Sequence, residues 1–468
     1  MHPSSRSSAV VLGGSIAGLC AARALSRHFR HVTVVERDRL PIGPAHRTGV
    51  PQSQHVHALL LRGLLELDKL FPGIEQELVE SGARRMDLGS EFAHFTDWGW
   101  APRARIAVEP LTVSRVVLES VVRARLLRDV RNLTVLDEVR ATGLLTERQG
   151  GRLCVRGVTT DRAGSLELRA DLVVDASGRN SKCLDWLGAH GVTEPPRETV
   201  DAFAGYASRF YELAPDDTRW WRGMLIDPKA PDQRRWGLLM PVEHGRHVLT
   251  LGGLNRDYPP GDEQGFQAFL AGLRSPVLAR EIAAAKPVSP IHTHRALYNR
   301  ARHFERWSES VGGFVALGDS AIAFNAYHGQ GMSMAALAAT TLGETCADTR
   351  AFDSFQLCRR FHALQWKRLR YAWDMATGMD LEWPETEGAR PRGYAFLFGL
   401  SVAVVRAAHQ DPTLKRTLGP VFQLVASPYT LLRPGVIASV AISALRRALG
   451  GGCLSSSIPA LSDRSVGT

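Results

Sequence analysis

The sequence predicts an α/β fold in which a Rossmann-like dinucleotide-binding domain carries an inserted antiparallel-sheet domain and is followed by a helical C-terminal region. Three observations support this. Residues 9–12 form an apolar strand that runs into glycines and then into a helix of small residues. Far downstream, a second apolar strand at 313–317 ends in Gly318-Asp319-Ser320, and a further glycine turn opens a helix near Met332. Between them, residues 187–290 hold four short runs of alternating apolar and polar positions, the pattern of an antiparallel sheet with one face to bury.

The N-terminal segment reads as a dinucleotide fingerprint, Gly13-Gly14-Ser15-Ile16-Ala17-Gly18. Gly13 allows the tight turn and Gly18 lets the helix pack on the sheet. Ser15 stands where a second motif glycine is usual and adds a hydroxyl beside the pyrophosphate. A strand at 31–35 ends in Glu36, placed for the ribose hydroxyls of an adenosine, with Arg37 beside it. After Arg47 a helix is expected at 55–71, then an aromatic-rich stretch at 89–100. The helix expected at 113–127 carries Arg115 near its start, where a guanidinium either reaches a diphosphate or makes a surface salt bridge. Strands are expected at 133–136 and 151–159, and a buried strand from 171 ends in the turn of Ser177-Gly178-Arg179, beside the nucleotide.

In the inserted sheet, strands are expected at 202–211, 221–226, 236–241 and 247–254. Phe92, Trp98, Phe210, Trp236, Met240 and Phe324 are candidates for a substrate pocket, with plain core packing as the alternative for each. From 349 onward the pattern is helical. Its apolar runs at 394–405 and 421–449 are broken by Arg406, Pro428, Arg433 and Pro434, so a cap, or a domain resting on lipid, is expected rather than a spanning helix.

At 468 residues, 44% hydrophobic and 22% charged, the chain is expected to form two or three packed soluble units. Its net charge is +10, but arginines occur throughout with no long basic run and no nucleic-acid motif, so a solvated basic surface is expected. The six cysteines are scattered without metal or disulfide spacing, which suits a reducing cytoplasm and no metal. No signal peptide is read at the N-terminus, and residues 455–468 are expected to be a disordered tail.

Asp319, at the end of its strand, is placed to accept a hydrogen bond from a ribityl hydroxyl. The helix opened by Gly329-Gln330-Gly331 turns free N–H groups and its positive end toward an electron-rich flavin pyrimidine. Together the motifs resemble flavoprotein monooxygenases of the aromatic hydroxylase fold. Within that group, Gly13-Gly14-Ser15-Ile16-Ala17-Gly18, Arg47-Thr48-Gly49-Val50-Pro51-Gln52 and Asp175-Ala176-Ser177-Gly178-Arg179-Asn180 are similar to bacterial flavin epoxidases such as the monensin and lasalocid prepolyether epoxidases. Squalene epoxidase is a more distant relative by the same criteria.

The resemblance implies FAD held by Gly13, Gly14, Ser15, Gly18 and Arg47, with Glu36 and Arg37 at the adenosine and the Val139 backbone at the adenine. It places Arg115 at the diphosphate, Asp319 at the ribityl chain, and Gly329, Gly331 and Met332 at the ring. It implies an FAD-binding domain made of 1–88, 104–186 and 291–348, a substrate domain of 89–103 and 187–290, and a helical region of 349–454. The implied reaction transfers one atom of O2 through a flavin C4a-hydroperoxide to an alkene of a lipophilic polyketide or terpenoid natural-product intermediate. Arg47, Tyr327, His328 and Gln330 are the flavin-edge candidates; His328 is read either as a base or as a structural hydrogen-bonder. Ser177 replaces an aspartate linked to nicotinamide use, so electrons from NAD(P)H are expected directly or through a separate flavin reductase. An aromatic (phenol) hydroxylase, a halogenase and a non-catalytic flavin module resting on a membrane are the rival readings.

Overall fold

The computed structural model describes residues 7–448 apart from 215, 217 and 349–352, so Cys453 and the tail expected at 455–468 lie outside the described residues. Five strands form a parallel sheet in the order Phe314–Ala316, Leu172–Asp175, Ser8–Leu12, His31–Val35, Leu133–Leu136. Their near-continuous apolar runs suit burial on both faces. Alternation then divides them between two cores. Val11, Val34 and Val174 face helices Ile16–Leu25, Arg115–Asp129 and Gly331–Asp348. Val10, Val35 and Val173 face a small antiparallel sheet of Ala141–Gln149, Arg152–Thr160 and Glu167–Arg169.

The turn after the first strand is built on close backbone approach. Gly13 adopts a φ of +104°, and its N–H donates to the Val35 carbonyl at 2.8 Å. A Cβ on Gly18 would lie 1.8 Å from the Gly13 carbonyl oxygen, which no packing adjustment of side chains relieves.

The second sheet runs Ile322–Ala323, His292–Arg302, Arg197–Glu212, Arg246–Gly253, Arg235–Pro241, Gly223–Ile226, Phe92–Thr96, Gly99–Trp100. Its register sorts the side chains. Tyr206 opposes His294 and Gly252, and Gly252 opposes Trp236; Phe210 opposes Val248, which opposes Met240. Phe92 pairs with Gly223, two positions before Leu225, the partner of Leu238. Phe92, Phe210, Trp236 and Met240 therefore share one face. The other face carries Ala207, Leu239, Leu249 and Leu251, which pack against Phe266, Phe269 and Leu278 of the helices Glu263–Ala271 and Val277–Ala283.

One expected helix is shorter than the sequence suggests, and one apolar run is broken as expected. Residues 55–71 yield only Leu61–Leu70, because the preceding segment is committed to sheet contacts: His55 Nδ1 bonds Ser208 Oγ at 2.8 Å and Leu59 bridges Leu111. The run at 421–449 is divided. Helix Pro412–Phe422 ends there, and Pro434–Ala448 starts at a proline suited to a first helical turn. Among the described residues no helix is long and apolar enough to cross a membrane.

Gly18→Ala is expected to destabilise the fold by about 1–3 kcal/mol, the usual cost of overpacking. A thermal melt within one degree or so of the parent would show that the turn and helix can separate without penalty.

Candidate active site

The first element of the site is a buried ion cluster around the glycine turn. Glu36, at the end of its strand, accepts from the Gly14 N–H at 2.6 Å and the Asp38 N–H at 2.9 Å. Arg47 reaches Glu36 at 3.2 Å, Asp38 at 3.1 Å and Glu119 at 2.9 Å. Arg115, the first residue of its helix, donates to Ser15 Oγ at 2.7 Å, and the Ser15 hydroxyl donates to Glu119 at 2.7 Å. The hydroxyl that replaces a motif glycine is thus held between an arginine and a carboxylate. Burial opposes ionisation of Glu119, but Arg115 and Arg47, with hydrogen bonds from Ser15 and Arg47, outweigh it and hold the carboxyl below its ordinary value. Glu119 was not anticipated; its position four residues after Arg115, on the same helix face, is the signal that could have found it.

Two expectations change at this end. Arg47 pairs with the acids of the nucleotide turn, so it belongs to the adenosine–diphosphate end of the cleft rather than to a flavin edge. The Val139 N–H already donates to the Glu36 carbonyl at 3.0 Å, which leaves only the Val139 carbonyl for an adenine. Arg37 is exposed and lines the same cleft.

A cleft of about 770 Å³ runs from this cluster to the second sheet. Its walls include Gly13, Ser15, Arg115 and Val139 at one end, Gly178, Arg179 and Asp319 midway, and Phe324, Gln330, Gly331 and Met332 beyond. Parallel strands ending together explain the convergence, since Leu12, Val35, Asp175 and Ala316 terminate at the same edge of the sheet. Asp319 lies 3.5 Å from Arg179 Nε. Arg179, unanticipated as a site residue, also donates to the carbonyls of Tyr298, at 2.8 Å, and Phe324. It ties the ribityl-side turn to both neighbouring segments.

Gln330 is the clearest sign of a ligand. It is 1% exposed and lines the cleft, and neither Oε1 nor Nε2 has a hydrogen-bond partner in the protein. A buried primary amide left in that state costs about 1–3 kcal/mol, whereas a flavin pyrimidine edge offers complementary donors and acceptors. The residues present therefore fit FAD: acidic strand end and glycine turn for the adenosine, Arg115 and Ser15 for the diphosphate, Asp319 for the ribityl chain, and Gln330 with the start of Gly331–Asp348 for the ring.

Tyr327 and His328 stand outside the cleft lining. His328 Nε2 is 2.9 Å from Asp380 Oδ1, and both side chains are almost wholly buried. Asn325 and Asn299 donate to the same carboxylate at 3.0 and 2.7 Å. Asp380, on the long helix Ser354–Asp380, thereby anchors the loop that carries Gln330. Of the two readings of His328, the geometry favours the structural one. Asp380 lacked any local signal, because its partners converge from two distant segments, around 299 and 325–328. Tyr327 packs on Trp236, with ring centroids 5.1 Å apart.

Of the pocket candidates, Phe324 lines the main cleft. Phe210 and Met240 border a smaller cavity under His55–His57, and Trp98 packs beside His409 at 5.9 Å, beneath the C-terminal helices. Two histidines in this region are neutral: burial depresses both His55 and His57 to about 3, with His294 adding to the effect on His55 and Arg115 to that on His57. The five described cysteines are buried, and burial pushes the Cys20 thiol up to about 12.

Comparison with known proteins agrees with this geometry. Residues 9–181 match the FAD dependent oxidoreductase family. The chain is also 31% identical over 438 residues to Protein Rv3254 of Mycobacterium tuberculosis, covering 90% of each protein. The chain belongs to this family of FAD-dependent oxidoreductases. Among solved structures its fold is similar to a flavoprotein/dehydrogenase from Cytophaga hutchinsonii (TM-score 0.66, 16% identity, 95% of this chain and 99% of that one). It is also similar to PqsL, a probable FAD-dependent monooxygenase from Pseudomonas aeruginosa (0.58, 18%, 84% and 99%), and to the flavin-dependent brominase Bmp2 (0.65, 14%, 94% and 99%).

Gln330→Leu is expected to raise the melting temperature of the apoprotein, by removing an unpaired buried amide, while weakening FAD binding about tenfold or more. Titration of apoprotein with FAD, followed by flavin fluorescence, checks the second half. Unchanged affinity would remove Gln330 from the ring site.

Proposed function

We propose that this oxidoreductase is a monooxygenase that adds one oxygen atom of O2 to a carbon–carbon double bond of a lipophilic polyketide or terpenoid intermediate. Bound FAD, once reduced, supplies the oxygen activation. The protein's share is binding, orientation and exclusion of water. Gln330 and the helix start behind it orient the ring, while Tyr206, Leu297 and Phe324 give the cleft an apolar, aromatic stretch of wall for a hydrocarbon chain.

One observation carries the choice of an alkene over a phenol. Phenol hydroxylation benefits from a base that draws off the substrate proton, and such a base works best with a pKa near the operating pH. His328 is engaged by Asp380, and His57, in the cleft wall, is too weak a base at about 3. Alkene epoxidation needs no such group. A halogenase reading rests on a catalytic lysine. The lysine lining this cleft, Lys182, is 69% exposed and paired with Asp185 at 3.1 Å, which argues against it.

His328→Gln retains an N–H donor for Asp380, so most of the epoxidation rate should survive. The readout is oxygen-18 from labelled dioxygen in an epoxide, with a lipophilic polyene as substrate. A general base would instead contribute about 10²–10⁴-fold, and a loss of that size with FAD still bound, or label found only in a ring hydroxyl, would establish the hydroxylase. Electron supply is tested separately. Reduction by NADPH alone should be slow in stopped flow, and a generic flavin reductase should restore turnover; rapid bleaching by NADPH alone would refute a separate donor.

A further inference from the structure

We infer that the C-terminal helices dock this protein on an anionic lipid bilayer. The inference goes beyond the proposed chemistry and does not depend on it. Helix Tyr394–Gln410 buries Val404, Ala407 and Ala408 against Leu414, Leu418 and Val436 of the helices that follow. Helical spacing carries the same stripe back to Phe396 and Leu400, which are 75% and 39% exposed. Helix Pro434–Ala448 repeats the arrangement. Val436 and Val440 pack inward, while Ile437, Ile442 and Leu445 around the remaining circumference are more than half exposed. A helix apolar on both sides is ordinarily buried. Among the described residues, eleven of the seventeen exposed large hydrophobic side chains lie between 396 and 445, so they concentrate in this one group of packed helices rather than scatter along the chain.

Charge identifies the occupant. Arginines occur along the whole chain, but the acids that balance them do not. Residues 389–448 contain eight lysines and arginines against the single acid Asp411, a surplus of seven in a chain whose total is +10. Arg392, Arg406, Arg416 and Arg433 are exposed around the apolar helices. A second copy of the chain would bring two surfaces of the same sign together, which repulsion opposes. An anionic bilayer offers negative headgroups for the arginines and an acyl boundary for Phe396, Leu400 and Ile437. Since none of the described helices is long and apolar enough to cross, they would lie in the plane of the interface.

Flotation of the full FAD-loaded protein with vesicles tests this. The protein should float with phosphatidylcholine vesicles containing phosphatidylglycerol, remain behind with phosphatidylcholine alone, and be released by raised salt. The triple variant Phe396→Ser, Leu400→Ser, Ile437→Ser changes only exposed side chains and should keep its melting temperature and flavin absorbance. It should lose vesicle binding by about tenfold or more, and Arg392→Glu with Arg433→Glu should do the same. Failure of the parent to float with anionic vesicles overturns the inference. So does flotation that the apolar triple leaves unchanged, which would mean charge alone is at work. Sedimentation velocity covers the remaining occupant: a dimer that the triple variant dissolves, without vesicle binding by the parent, would assign the face to a second copy.

Discussion

Two backbones meet at the glycine turn more closely than any side chain allows, and the site depends on that approach. A Cβ on Gly13 would lie 2.5 Å from the Ala176 carbonyl oxygen and one on Gly18 would lie 1.8 Å from the Gly13 carbonyl. The first strand is thereby locked to the strand Leu172–Asp175, and the first helix is drawn onto the sheet edge. Everything that follows is geometry inherited from this contact. Ser15 arrives within reach of Arg115, Glu36 closes over the Gly14 N–H, and Asp319 comes up beside Gly178-Arg179 from a strand far away in the chain.

Placing three acids and two arginines around that turn is costly unless each charge is paired. Glu36, Asp38 and Glu119 all address Arg47, and Arg115 bonds both Ser15 and Glu119. Buried charge of this kind contributes little net stability, because desolvation cancels most of the attraction. Its value lies in position. The network holds Arg115 at the first turn of a helix and Ser15 at the glycine turn, and fixes both beside the place an anionic diphosphate would occupy.

What could be read from the chain was what local physics determines. Residues 133–136 form a strand as expected, and the fingerprint strand, turn and helix form as expected, because apolar period and glycine position speak for themselves. Alternation in the inserted region likewise placed Phe210, Trp236 and Met240 on strands whose register puts them on one face, which Phe92, read only within an aromatic-rich stretch, joins. What could not be read depends on partners from elsewhere. The helix expected at 55–71 loses its first turns because His55 is used by Ser208, a residue about 150 positions away. Asp380 carries no motif, yet it holds His328, Asn325 and Asn299. Arg47 and Val139 were read from resemblance and landed differently in detail, one on carboxylates and the other with its N–H already spent.

His328 shows most plainly why sequence proximity to a flavin loop does not make a catalytic group. A histidine two residues from Gln330 is within reach of the same ring on paper, but the loop turns through Gly329 with a φ of +64°, so successive side chains diverge. Gln330 enters the cleft wall and His328 meets a buried carboxylate on the opposite side. One loop thus separates two duties, with an unpaired amide kept for a ligand and an imidazole bonded through Nε2 to Asp380 kept for rigidity. The consequence reaches the chemistry. With the loop's imidazole engaged by Asp380 and His57 in the wall held neutral by burial, what these two histidines give a bound flavin is position rather than proton transfer.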